Sequence, residues 1–222
     1  MTEPRASGSG RLAIGAAWAV LLLGLWLWGR ELTSVPGTRG TTAPTTGDVA
    51  AVGRPLGDGP PAPFRPLAPS APTRVDIPAI GVRAPVVGRG LDRAGAVAPP
   101  PFDQPGIVGW YRAGTRPGAP GAALLVGHTD TETRPAVFHR IGALRPGDTI
   151  RVVRADDTVA EFTVEGVETV DRHRFDAARV YGPHERGRAE LRLLTCAGTF
   201  DRTSGTYSAN TVVSAYLTGA RT

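Results

Sequence analysis

The only cysteine of the chain, Cys196, closes the run Leu191-Arg-Leu-Leu-Thr-Cys196 and is followed by Ala-Gly-Thr-Phe-Asp-Arg202. A second apolar run, Ala123-Leu-Leu-Val126, ends in Gly-His128-Thr-Asp130. Both read as short buried strands that hand a polar side chain to the point where strand gives way to loop. A thiol, an imidazole and a guanidinium together suit acyl transfer. A thiolate attacks an acyl carbon, an acid protonates the leaving amine, and a cation or N–H donor holds the oxyanion. Each residue also has a plainer role. A lone cysteine packs as a small hydrophobe, one histidine among four is ordinary, and an arginine between Asp201 and Thr203 pairs with a surface carboxylate. The four histidines (His128, His139, His173, His184) lack ligand spacing, so neither a metal site nor a cofactor is expected.

The elements that must position these groups are short strands. Val75 and Ile77 alternate before a turn at Pro78 to Gly81, and Val82 to Val87 resumes extended chain. Thr149 to Arg154 and Thr158 to Val164 alternate around Ala155-Asp-Asp157, a hairpin that Val167 to Val170 extends. Asn210 to Leu217 is the last strand. Arg134 to Leu144 places Val137, Phe138, Ile141 and Leu144 on a helical period, room for one short helix. The polar, irregular stretch Asp171 to Arg188 is long enough for a substrate loop. Seven or eight short strands without a βαβ rhythm predict an antiparallel barrel or sandwich.

Residues 1–11 are polar and basic, and Leu12 to Trp28 is an unbroken apolar run closed by Gly29. As a helix, that run spans about 25 Å, the short end of the membrane-spanning range. Its N-terminal arginines favour an inside N-terminus, and no Ala-x-Ala-like cleavage site follows it. The expectation is a single-pass plasma-membrane anchor at 12–29, with the rest of the chain on the envelope side. Residues 30–72, rich in Pro, Gly and Thr with Phe64 the only aromatic, read as a linker, and 73–222 as the catalytic domain. The net charge of +5 and a pI near 10.3 do not indicate a nucleic-acid partner. From Thr73 onward, 19 arginines are interspersed with 16 carboxylates, without a basic run. A single cysteine excludes an intrachain disulfide.

Leu-Leu-Thr-Cys196 after a distant Gly-His128-Thr-Asp130, behind an anchor and a linker, resembles the sortase family. The likeness runs from about Arg74 to Leu217. Arg-Val-Asp-Ile-Pro-Ala-Ile-Gly-Val is similar to the family's opening strand, and Gly-Trp-Tyr with a Pro-Gly-x-x-Gly loop to the region ahead of the histidine. The tail Thr-Cys-Ala-Gly-Thr-Phe-Asp-Arg-x-x-Gly-x-Tyr-x-x-Asn-x-Val-Val is closest to actinobacterial class F, with class E the near alternative. The resemblance implies an eight-stranded β-barrel with one or two short helices and a cysteine transpeptidase. Cys196 would cleave an LPXTG-like sorting signal between Thr and Gly through a thioacyl intermediate. His128 would protonate the leaving amine and deprotonate the incoming one. Arg202 would bind the signal or its oxyanion, Thr195 would shape that site, and Asp130 would support it. The implied partners are secreted proteins carrying a C-terminal sorting signal and a cell-wall precursor or pilin amine as acceptor.

In many sortases an arginine opens the last strand, whereas here that neighbourhood is Ser208-Ala209-Asn210. Either Arg202 reaches the site from the connecting loop, or Asn210 supplies a neutral donor and Arg202 is structural. The rival classes are another envelope cysteine acyl-transferase or hydrolase and a tethered, non-enzymatic binding module. An L,D-transpeptidase would carry a Ser-His-Gly-Cys-Arg-like block, and papain-like peptidases place the cysteine before the histidine. Neither pattern is present.

Overall fold

Alternation of apolar and polar residues drives this chain into strands whose inner faces share one core. The computed structural model describes residues 59–93 and 95–222. Among them are eight strands: β1 (Pro72–Ile77), β2 (Val82–Arg89), β3 (Val108–Tyr111), β4 (Gly121–Val126), β5 (Thr149–Arg154), β6 (Val159–Asp171), β7 (Ala189–Asp201) and β8 (Thr206–Arg221). They close into a barrel in the order β1-β2-β3-β4-β7-β8-β6-β5, so no edge is left unpaired. The closing ladder is β1 against β5. Val75, Ile77, Leu125, Ile150, Phe162, Leu191, Leu193, Val213 and Leu217 all point inward and are fully buried. Each contributes about 1.5–3 kcal/mol by leaving water.

The barrel is not wholly antiparallel, as the strand pattern had suggested. β2 pairs with β3 in parallel, and β4 pairs with β7 in parallel. A parallel pair needs a long crossover. The 18 residues between Arg89 and Val108 supply the first, and β5 and β6 lie within the second. The stretch expected to hold a short helix forms only a 3-10 turn, Ile141–Ala143. Phe138, Ile141 and Leu144 still bury the periodic face. Five residues of α-helix, α1 (Ala177–Tyr181), appear instead between β6 and β7, capped by the Asp176 carboxylate on the N–H groups of Ala178 and Arg179.

The linker reading also needs correction at its C-terminal end. Phe64 N–H donates to Leu217 O at 2.8 Å, Leu67 N–H to Gly118 O at 2.7 Å, and Tyr216 Oη to Pro61 O at 2.7 Å. The buried Arg154 guanidinium donates to Ala68 O, and Leu67 and Ala71 pack on the core. A Pro-rich segment has few N–H donors; Phe64 and Leu67 give theirs to carbonyls outside it, and Tyr216 and Arg154 donate to its carbonyls at Pro61 and Ala68. The expected anchor at 12–29 and residues 30–58 of the linker lie outside the described residues. Among the described residues no helix is long and apolar enough to cross a membrane.

Candidate active site

The parallel ladder of β4 and β7 brings the histidine and the cysteine to one level. Val126 pairs with Leu194, and Gly127 N–H donates to Leu194 O at 3.1 Å. Thr195 Oγ1 donates to Gly127 O at 2.8 Å, locking the two strands one residue further on. The next position on each chain is His128 beside Cys196. Cys196 in turn pairs with Asn210 of β8, and Asn210 with Val170 of β6. Cys196, Asn210 and Val170 therefore form one row across β7, β8 and β6, spaced about 4.8 Å apart, and His128 follows two residues past the end of β4. Leu191, Leu193, Val213 and Ala215 point into the core, so strict alternation turns Cys196 and Asn210 outward.

Cys196 does not end its strand, as expected from the Ala-Gly-Thr that follows. β7 continues to Asp201, paired with β8, past a bulge between Ala197 and Phe200. Gly198 makes the bulge: its φ is +81°, and a Cβ there would lie 2.3 Å from Ser208 Oγ. That hydroxyl accepts the Thr199 N–H at 2.9 Å. Arg202 consequently lies in the exposed turn between β7 and β8, where the Asp201 carboxylate accepts from Thr203 N–H and Ser204 Oγ. At about 3.3 Å per residue, the turn is on the order of 15–20 Å along the strand from Cys196. The ladders thus put Thr195, Cys196 and Asn210 side by side, set His128 two residues past the end of β4, and leave Arg202 at the far end of the hairpin.

Cys196 lines a pocket of about 250 Å³ with Thr129, Asp130, His139, Thr195 and Tyr207 among others, whereas His128 and Asn210 lie outside its lining. Small-molecule sites generally run to about 300–1,000 Å³, so this one has room for the residues next to a scissile bond and little more. Cys196 keeps some surface open to solvent, yet the atoms packed around it withhold water from sulfur. That crowding decides the direction: burial pushes the thiol pKa up, the Arg172 guanidinium pulls it back, and the Asp130 carboxylate raises it further. The resting group is therefore mainly the neutral thiol near neutral pH.

His128 is buried. Its Nε2 lies 2.7 Å from the carbonyl oxygen of Pro100, an acceptor only, so the proton sits on Nε2. The imidazole stacks on Phe102 with centroids 4.2 Å apart and 23° between planes. Asp130 serves Tyr207, whose Oη donates to Oδ2 at 2.6 Å. Accepting that bond, with burial adding to it, pushes the tyrosine pKa up to about 12. The Thr195 hydroxyl is committed to Gly127, which makes it a strand lock. Sequence reasoning missed Pro100, Phe102 and Tyr207. The first two sit in a Pro-Pro-Pro-Phe run with the look of a plain loop, and Tyr207 is placed only by the β7–β8 register.

The loop between β6 and β7 is fastened by a buried carboxylate. Glu190 accepts from the N–H groups of His184 at 3.0 Å and Glu185 at 2.9 Å, from Arg188 Nε at 3.0 Å and from Arg192 Nη2 at 2.6 Å. Burial alone would raise its pKa, but the two N–H groups and Arg192 prevail and bring it to about 2. Arg192 Nη2 also donates to Gly182 O at 2.9 Å. The loop beside the catalytic row is thereby tied to β7 at both ends of the 182–188 segment.

The Sortase domain family model matches residues 75–218. The SrtA sortase of Actinomyces oris superposes with a TM-score of 0.52 at 23% identity, covering 74% of this chain and 89% of that one. Sortase C-1 of Streptococcus pneumoniae superposes at 0.50 and 20% identity, covering 65% of each chain. No curated protein matches the chain in sequence. With the family model spanning nearly the whole barrel and a fold shared with both enzymes, the chain belongs to the sortase family of cysteine transpeptidases.

Proposed function

We propose that the chain is a membrane-anchored class F sortase, with class E the nearest neighbour, working on the outer side of the plasma membrane. It cleaves an LPXTG-like sorting signal between Thr and Gly and transfers the acyl group to a cell-wall precursor or pilin amine. The observation that supports this reading is the parallel β4–β7 register, which runs to Val126 and Leu194, two residues before His128 and Cys196 on their respective chains.

The steps follow from the two groups. The Cys196 thiol passes its proton to the unprotonated ring nitrogen of His128, and the thiolate attacks the Thr carbonyl carbon, forming a C–S bond and moving a pair of electrons to oxygen. Collapse breaks the C–N bond, and His128 Nε2, released from Pro100, gives its proton to the departing Gly amine. A thioester to Cys196 remains. An incoming amine attacks it and passes a proton to His128, and Cys196 leaves as thiolate. The Asn210 side chain, opposite Cys196, is the neutral donor nearest in register to the developing oxyanion.

The test mixes the full chain with a panel of Leu-Pro-x-Thr-Gly-like and Leu-Ala-x-Thr-Gly-like peptides and an amine acceptor, with products read by mass. Thr–Gly cleavage with transfer, lost in Cys196→Ala, is the expected result and names the motif. Cleavage that survives Cys196→Ala sinks the reading.

A further inference from the structure

Neither the turn after β7 nor the strand opposite places a cation in register with Cys196. On β8 Asn210 pairs with Cys196 and is flanked by Ala209 and Thr211, all neutral. The Ser208 hydroxyl is already occupied by the Thr199 N–H. Arg202 lies in the turn at the end of the hairpin. β6, on the other side of β8, runs Val170 opposite Asn210 and Asp171 opposite Ala209. The next residue, Arg172, opens a 3-10 turn directly after Asp171, at the end of the ladder that runs through Val170 and Asn210 to Cys196. Arg172 is exposed and has no carboxylate partner among the described residues. Nearby arginines differ in this respect: Arg179 pairs with Glu168, and Arg188 with Glu165, Glu185 and Glu190. A guanidinium left unpaired beside a nucleophile keeps its donors for an incoming anion.

We infer that Arg172, at the end of β6, is the guanidinium of this active site, holding negative charge on the Cys196 sulfur and on the carbonyl oxygen of the acyl group under attack. The inference rests on the transpeptidase reading for its second half only. Its first half, the influence on sulfur, stands on the row of strands. It agrees with the direction in which Arg172 moves the thiol, against burial and Asp130. The other titratable groups around Cys196 are Asp130, His139 and Tyr207, which line one pocket with it, together with Asp171 opposite Ala209 and His128 beyond the end of β4.

Two readouts on the full chain separate the halves. The first is the pH profile of Cys196 alkylation by iodoacetamide, in Arg172→Gln, Arg172→Lys and Arg174→Gln. Arg174 sits in the same turn and controls for net charge. Arg172→Gln moves the profile to higher pH, Arg172→Lys restores most of it, and Arg174→Gln leaves it in place. The second readout is peptide transfer: Arg172→Gln lowers kcat by about 10²-fold or more, the scale of one oxyanion donor, with KM changed far less. If the wild type transfers no peptide, the functional reading fails while the alkylation profile still judges Arg172. A profile and turnover unchanged in Arg172→Gln, or a loss in Arg202→Gln instead, overturns the inference. Circular dichroism confirms that the exposed substitutions leave the barrel folded.

Discussion

The Nε2 of His128 donates to the carbonyl of Pro100 at 2.7 Å, so the acid assigned to the leaving amine rests on a backbone oxygen of the β2–β3 connection. Phe102, two residues on and largely exposed, covers the imidazole face. Substrate must displace this strap before the proton can reach it. Phe102→Ala removes the stack while leaving the core intact, so stability changes by no more than about 0.5 kcal/mol. Carbethoxylation of His128 by diethylpyrocarbonate is expected to quicken several-fold. An unchanged rate would mean that the strap does not shield the ring.

Asp130 acts on two neighbours at once. It accepts from Tyr207 Oη and adds to the rise in the Cys196 pKa. Asp130→Asn is expected to bring the Tyr207 pKa down from about 12 toward the ordinary tyrosine value and to lower the thiol pKa. The sign is fixed, because removing a negative charge favours the thiolate. Iodoacetamide alkylation at pH 7 then becomes faster, and the 295 nm tyrosinate titration moves to lower pH. Slower alkylation would contradict the placement of Asp130 near the sulfur.

Glu190 holds the 182–188 segment with a pKa brought to about 2. Its folded value is depressed, so its stabilisation is complete above the unfolded carboxylate value near 4.5 and drains away as pH falls toward 2. Urea unfolding should show wild-type stability dropping between pH 5 and about 2. Glu190→Gln should cost about 3 kcal/mol at pH 7, because two buried arginines lose their counter-charge. The gap between the two proteins should narrow at low pH. A gap constant with pH would assign the effect to packing.

The bulge at Gly198 sets the distance from Cys196 to the hairpin tip. Gly198→Ala puts a Cβ on Ser208 Oγ and an L-residue at φ +81°. The expected cost is about 1–3 kcal/mol, seen as a lower urea midpoint, together with reduced peptide transfer. Wild-type values for both would show that β7 accommodates the methyl group without shifting.

What was legible in the sequence is what local pattern specifies. Ala123 to Val126 and Leu191 to Thr195 alternate or cluster strongly enough to read as strands, and each points directly at its polar residue. The continuation of β7 past Cys196 was hidden, because Ala-Gly-Thr reads as a turn unless the partner strand is known. Pairing with β8 and the Ser208 hydroxyl override that local preference. Residues 61–71 read as linker for a similar reason. Their composition favours extended chain, and only Leu217, Gly118, Arg154 and Tyr216, all distant in sequence, turn that chain into part of the barrel. Arg172 lay in a stretch recognisable as a loop, but its place next to Asp171, which pairs with Ala209, comes from the β6–β8 register, which no spacing along the chain encodes. The parallel β2–β3 and β4–β7 pairs were out of reach on the same grounds.

The most direct test of the central claim is intact-mass analysis of the full chain quenched in acid during turnover of a cleaved peptide without added amine. An adduct equal to the peptide's acyl portion up to Thr, mapped to Cys196 and discharged by hydroxylamine or an amine nucleophile, is the expected result. In His128→Ala the adduct should build far more slowly. Cleavage without any adduct, or an adduct elsewhere in a protein whose Cys196 remains free, would contradict thioacyl catalysis at this site.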